Sequence, residues 1–85
     1  WNDKGLKALS ARVVRAAPNG VTANHMRATV LSGDGGAWEG GSRLAAEFKE
    51  AATHFEQAAS LCSAPVGKAD FAHNAGFCRG RAAAM

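Results

Sequence analysis

Apolar residues recur every three or four positions through most of the chain. In the first segment Leu6, Leu9, Val13 and Ala17 keep this spacing, and in the second Ala23, Met26 and Val30 do so. The third segment shows it most fully, with Leu44, Phe48, Ala51, Phe55, Ala58 and Cys62 in one stripe. Phe71, Ala75, Cys78 and Ala82 continue it in the fourth. This is the periodicity of a helix face that packs against a core. The opposite side of the third stripe carries Glu47, Lys49, Glu50, Glu56 and Gln57, as expected of a solvated surface.

Turn-forming residues separate the segments: Pro18-Asn19-Gly20, then Gly33 to Gly36 through Gly40-Gly41, then Ser63 to Gly67. Thr22 is predicted to cap the second helix and Ser42 the third, because a hydroxyl there can accept an unsatisfied first-turn N–H. Pro65 suits the first turn of the fourth helix, where its missing N–H costs nothing. No β-branched alternation is present. The expected architecture is all-α: four short antiparallel helices forming two hairpins, in a single small domain over residues 1–85. Ala72, Gly76 and Gly80 recur every four residues, which predicts close approach of a neighbouring helix backbone.

Composition narrows the picture. Twenty of the 85 residues are alanine, whereas the large apolar side chains are five Val, five Leu, four Phe, two Met and two Trp, without Ile or Tyr. So small a chain buries only about 60% of its unfolded surface. A core this thin is expected of a module that docks on a larger assembly, or of a fragment of a longer chain. Trp1, Trp38 and the apolar ends of the first and last helices are the expected docking points. The opening residue, Trp1 rather than Met, fits removal of an upstream segment.

The net charge is +3, with ten Lys and Arg scattered from Lys4 to Arg81. Nucleic-acid binding needs that charge clustered on one face and interleaved with aromatics, and neither pattern occurs. No uncharged stretch, Gln57 to Gly67 included, approaches the ~18 residues that span a bilayer. No membrane span is expected, and no secretory signal or N-linked sugar acceptor is present. Two cysteines are too few for a disulfide scaffold. On antiparallel helices Cys62 and Cys78 would be roughly 10 Å apart along the hairpin, so reduced, partly buried thiols are expected, which favours a reducing compartment.

Chemistry-bearing motifs are absent. Gly35 to Ser42 approaches a phosphate-binding loop, but Gly41 replaces the lysine that would reach the terminal phosphates and no strand precedes it. His25, His54 and His73 fall on three different helices, without the tight ligand spacing of a zinc site. Cys78 and His73 are five apart and do not share a helix face. No catalytic residue, metal, cofactor or small-molecule substrate is expected.

The run from Phe48 through Ala51, Phe55 and Ala58 to Pro65 resembles the second helix of a tetratricopeptide repeat. Its small–aromatic–small spacing and closing proline carry the likeness. Phe71, Ala75 and Cys78 resemble the first helix of the next repeat. The segment after Pro18 repeats the pattern over a period of 47, longer than the standard ~34. Asn24 and Arg27 depart from it, standing where the family places bulky apolar residues. The resemblance implies a non-catalytic protein–protein interaction module, an accessory or scaffold subunit among other protein subunits. It places His25, Thr29 and Arg79 on the binding surface, with Trp38 a further contact. A rival resemblance is to the WXG-type secreted helical hairpin, through Trp38-Glu39-Gly40 and the following Phe48. That would make the chain one half of a partnered dimer, with Trp38 at the tip of a continuous two-helix hairpin. Against it, Pro18 and Pro65 would interrupt both arms, at about 3 kcal/mol each.

Overall fold

The computed structural model describes residues 2–33 and 43–85. Four helices and no strands occur among them: α1 (Asp3–Ala16), α2 (Val21–Ser32), α3 (Ala45–Leu61) and α4 (Pro65–Ala83). The all-α class expected from the periodicity is what forms. Each helix packs on the next in sequence. The pairings Asn24 with His54 and Arg27 with Glu50 run α2 antiparallel to α3. Glu56 with Arg79 and Phe48 with Arg81 do the same for α3 and α4. By contrast, α1 and α3 lie parallel at their N-terminal ends, where Asp3 meets Arg43 and Lys7 meets Glu47.

Local chemistry explains most helix ends. The Asn2 side chain accepts the Gly5 N–H at 2.7 Å, and Asp3 in the first turn with Arg15 in the last complement the helix dipole. The second helix begins one residue before Thr22, with Gly20 as its N-cap. Asn24 explains the difference: its side chain reaches back to the carbonyls of Pro18 and Gly20, both at 2.9 Å, and holds the turn in place of a hydroxyl cap. The helix stops at Gly33, which adopts φ +75, and a Cβ there would stand 3.3 Å from Arg43 Nε. Both facts favour glycine. Ser42 lies outside the described residues. Leu44 is the N-cap of α3 and is 68% exposed, so it falls outside the buried stripe. Glu47 completes that end by accepting the Leu44 N–H at 2.9 Å. Pro65 opens α4 as expected.

The core lies between α2, α3 and α4. It consists of Ala28, Leu31, Phe48, Ala51, Ala52, Phe55, Ala75, Cys78 and Ala82, with Ala45 and Phe71 against it. Four of the six residues in the third stripe are buried, and three of the four in the last. Alanine at five of the nine core positions brings the helix backbones close together. Helix α1 contributes nothing to this cluster: Leu6, Leu9 and Val13 are only half-buried, and its one buried residue is Ser10. Cys78 is buried and Cys62 half-buried, and they are not bonded to each other.

Polar contacts hold α1 in place. The Arg43 guanidinium makes two parallel bonds to Asp3, 2.9 and 2.6 Å, and a third of 2.9 Å to the Val30 carbonyl in the last turn of α2. A cation at that helix end is favoured by the dipole. Lys7 reaches Glu47 at 2.6 Å. Arg27 donates to the Lys7 carbonyl at 2.8 Å and to Ser10 Oγ at 3.0 Å, while its other side engages Glu50.

Candidate interaction surface

Helix α4 is the last in the array and packs chiefly on α3. Of its nineteen residues only Ala75, Cys78 and Ala82 are buried. At ~100° per residue, the side opposite those three presents Val66, Ala69, His73, Gly76, Phe77 and Gly80. All six are exposed, Val66 by 76% and Phe77 by 49%, and Met85 follows at 65%. A helix side facing solvent is ordinarily charged or polar, as on α3 with Lys49, Glu50, Thr53 and Glu56. On α4 the charged residues stand at the margins instead. Lys68 donates to the Ala59 carbonyl at 2.7 Å, and Arg79 forms a two-pronged pair with Glu56 at 3.0 and 2.5 Å. Asp70 and Arg81 occupy the other margin, where Arg81 lies 5.2 Å from the Phe48 ring and 5.6 Å from that of Phe77.

The close approach expected at Ala72, Gly76 and Gly80 does not occur among the described residues. All three are exposed, and a Cβ added to Gly76 or Gly80 meets no atom within 4 Å. The bulk of α4 lies on the far side of those glycines. An open groove of about 440 Å³ lies beside Gly76 between α3 and α4, lined by Ala59, Ala72 and Ala75 and by the Glu56–Arg79 pair. That pair holds the Glu56 carboxyl below its ordinary value, chiefly through the Arg79 hydrogen bond, and raises the Arg79 guanidinium in turn.

The four candidate contact residues do not converge. His25 is exposed as a residue, yet its ring sits edge-on to Phe71 at 5.0 Å and tilted to Phe55 at 6.3 Å. It therefore roofs the aromatic end of the core. Thr29, one turn further on α2, is half-buried. Arg79 is committed to Glu56, and no contact among the described residues joins it to His25 or Thr29. Trp38, like Trp1, lies outside the described residues. The helix breaks at 17–20 and 62–64 leave no two long continuous arms of the WXG kind among the described residues.

A second polar assembly was not legible as such in the sequence. Asn24, 2% exposed, gives both amide hydrogens to the carbonyls of Pro18 and Gly20, so its oxygen faces His54 Nδ1 at 2.9 Å. Nδ1 consequently donates to that oxygen. His54 Nε2 lies 3.4 Å from Glu50, which also receives Arg27. Asn24 and Arg27, the two departures from the repeat pattern, thus join α1, α2 and α3. A pocket of about 470 Å³ borders this junction, lined by Val14, Arg15, Pro18, Thr53 and Gln57 with Asn24 and His54. The Thr53 hydroxyl in this lining donates to the Lys49 carbonyl at 3.2 Å, and the His54 ring nitrogens face Asn24 on α2 and Glu50 on its own helix. Among the described residues no three His, Cys, Asp or Glu side chains are grouped to hold a metal ion. No described helix is long and apolar enough to cross a membrane.

Comparison with protein-family models, with curated proteins and with solved structures finds no match for this chain.

Proposed function

We propose that the chain is a helical protein–protein association module without chemistry of its own, an accessory unit that presents α4 to another protein surface. The observation that carries this reading is the outer side of α4. Val66, Phe77 and Met85 are exposed there, and its charged residues are displaced to the margins. Large apolar side chains exposed on one side of a helix mark an interaction surface, and among the described residues only the Ala75, Cys78 and Ala82 side of α4 is covered. The small–aromatic–small spacing supports the same reading, since Ala51, Phe55 and Ala58 lie buried on α3 as a repeat-type helix would place them. The thin core agrees with it, because helical repeats gain stability from their neighbours.

Site-specific photo-crosslinking in the native host tests the proposal. A photoreactive residue at Val66 or Phe77 is expected to give discrete protein adducts, whereas one at Arg12, on the exposed side of α1, gives none. Absence of adducts at both α4 positions, with the chain folded, overturns it.

A further inference from the structure

We infer that the occupant of the α4 surface is a second copy of this chain, its α4 lying antiparallel across the first. The inference rests on the reading of the chain as an association module and names the partner. Charge complementarity carries it. Asp70 and Arg81 stand on the same margin of the outer side of α4, and neither makes an ion pair with any described residue. Eleven residues apart on one helix, about 16 Å along its axis, they cannot reach each other. In an antiparallel pair of identical helices the same margin of each helix faces its counterpart. Asp70 of each copy then lies opposite Arg81 of the other, and the pair forms twice about the two-fold axis.

The same register matches the apolar residues. Val66 stands four residues before Asp70 and Met85 four after Arg81, so setting Asp70 opposite Arg81 also sets Val66 opposite Met85. These are the two most exposed large apolar side chains of α4 and its tail. Phe77 falls near the axis, across from Asn74 and His73 of the second copy, as the central anchor. Parallel packing would instead put this margin of the two copies on opposite edges of the interface, with Asp70 and Arg81 about 16 Å apart along the axis, so that neither pair forms. Gly76 faces the axis, where any side chain would hold the helices apart.

Sedimentation equilibrium of the full chain from about 1 μM to about 1 mM provides the test, since one helix face lies at the small end of stable interfaces. A monomer–dimer equilibrium is expected. Asp70→Lys should weaken it about tenfold or more, and Asp70→Lys with Arg81→Glu should restore it to within about threefold of wild type. Gly76→Gln gives the cleanest variant, because it raises helix propensity while obstructing the axis. It should keep full helicity by circular dichroism and sediment as a monomer. A wild-type chain that is monomeric throughout, or a dimer that survives both Asp70→Lys and Gly76→Gln, overturns the inference. Crosslinked adducts at Val66 heavier than two copies of the chain would then leave the association-module reading standing, and their absence would remove both.

Discussion

Replacing Arg43 by alanine tests how α1 is held. The side chain is 3% exposed, and its bonds to described residues include two to the Asp3 carboxylate and one to the Val30 carbonyl. Breaking a buried ion pair by removing one partner costs about 3–5 kcal/mol when the other charge is stranded. Asp3 is not wholly stranded, since its side chain is 21% exposed and can take up water. The Val30 carbonyl also keeps the Gly33 N–H at 3.2 Å. The expected loss is therefore about 2–3 kcal/mol, nearer the range of individual hydrogen bonds to charged groups. For a domain of this size that lowers the melting temperature by roughly 10–20 °C. Arg43→Lys keeps the charge but not the two-pronged geometry, and should recover less than half of the loss. Circular dichroism melts give the magnitude, and hydrogen exchange gives the location. Amides of α1 should lose protection first and furthest, with those of α3 and α4 in the core following only the global loss. A melt within about 3 °C of wild type, with α1 protection unchanged, would refute the claim that polar contacts hold this helix.

Three further outcomes are expected. Asn24→Ala strips partners from two backbone carbonyls and from His54 Nδ1, so urea denaturation should show about 2–3 kcal/mol of lost stability, and a loss under about 0.5 would mean water replaces the amide fully. At Glu47 burial pushes the carboxyl up, but hydrogen bonds from Lys7 and the Leu44 N–H and the charges of Lys7 and Arg43 together hold it below its ordinary value of 4.5. A carboxyl lowered in the folded state stabilises above the unfolded value and ceases to as pH falls through the folded one. Glu47→Gln should thus be less stable than wild type near neutrality, and the gap should close as pH falls below 4.5 and through the lowered folded value; a pH-independent gap would contradict it. Gly80→Ala, exposed in the last turn of α4 with no atom within 4 Å of the added methyl, should stabilise the monomer by up to about 1 kcal/mol, read as a higher melting temperature.

Helix number, type and most core positions were legible because apolar periodicity reports directly on which face is buried. Phe48, Ala51, Phe55 and Ala58 on α3 and Ala75, Cys78 and Ala82 on α4 follow it closely. The pattern failed where a polar residue does structural work over a long sequence distance. Asn24 interrupts an apolar face and is nearly fully buried, because three partners, two carbonyls of the α1–α2 turn and His54 of α3, surround it. Arg43 sits at the edge of a glycine-rich run and gives no local hint of Asp3, forty residues away. The α4 stripe of Ala72, Gly76 and Gly80 predicted close approach of a neighbouring helix, which does not occur among the described residues, because small-residue spacing does not say which side of a helix is covered. His25 and Thr29 were placed by analogy with a repeat, and spacing alone could not show that the His25 ring turns onto Phe71 and Phe55.

The alanine-rich core has a consequence for uniqueness. Alanine faces are nearly smooth, so a helix sliding along its neighbour by one turn would meet almost the same relief. Large side chains usually forbid such slippage by interlocking, and here only Leu31, Phe48, Phe55 and the flanking Phe71 can. The pairs Lys7–Glu47, Arg27–Glu50, Asn24–His54 and Glu56–Arg79 each join specific turns of different helices. A slip of one turn, about 5.4 Å, would break them together. They act as the notches of a vernier: the alanines bring the rods together, and the charges select the one setting at which every mark lines up.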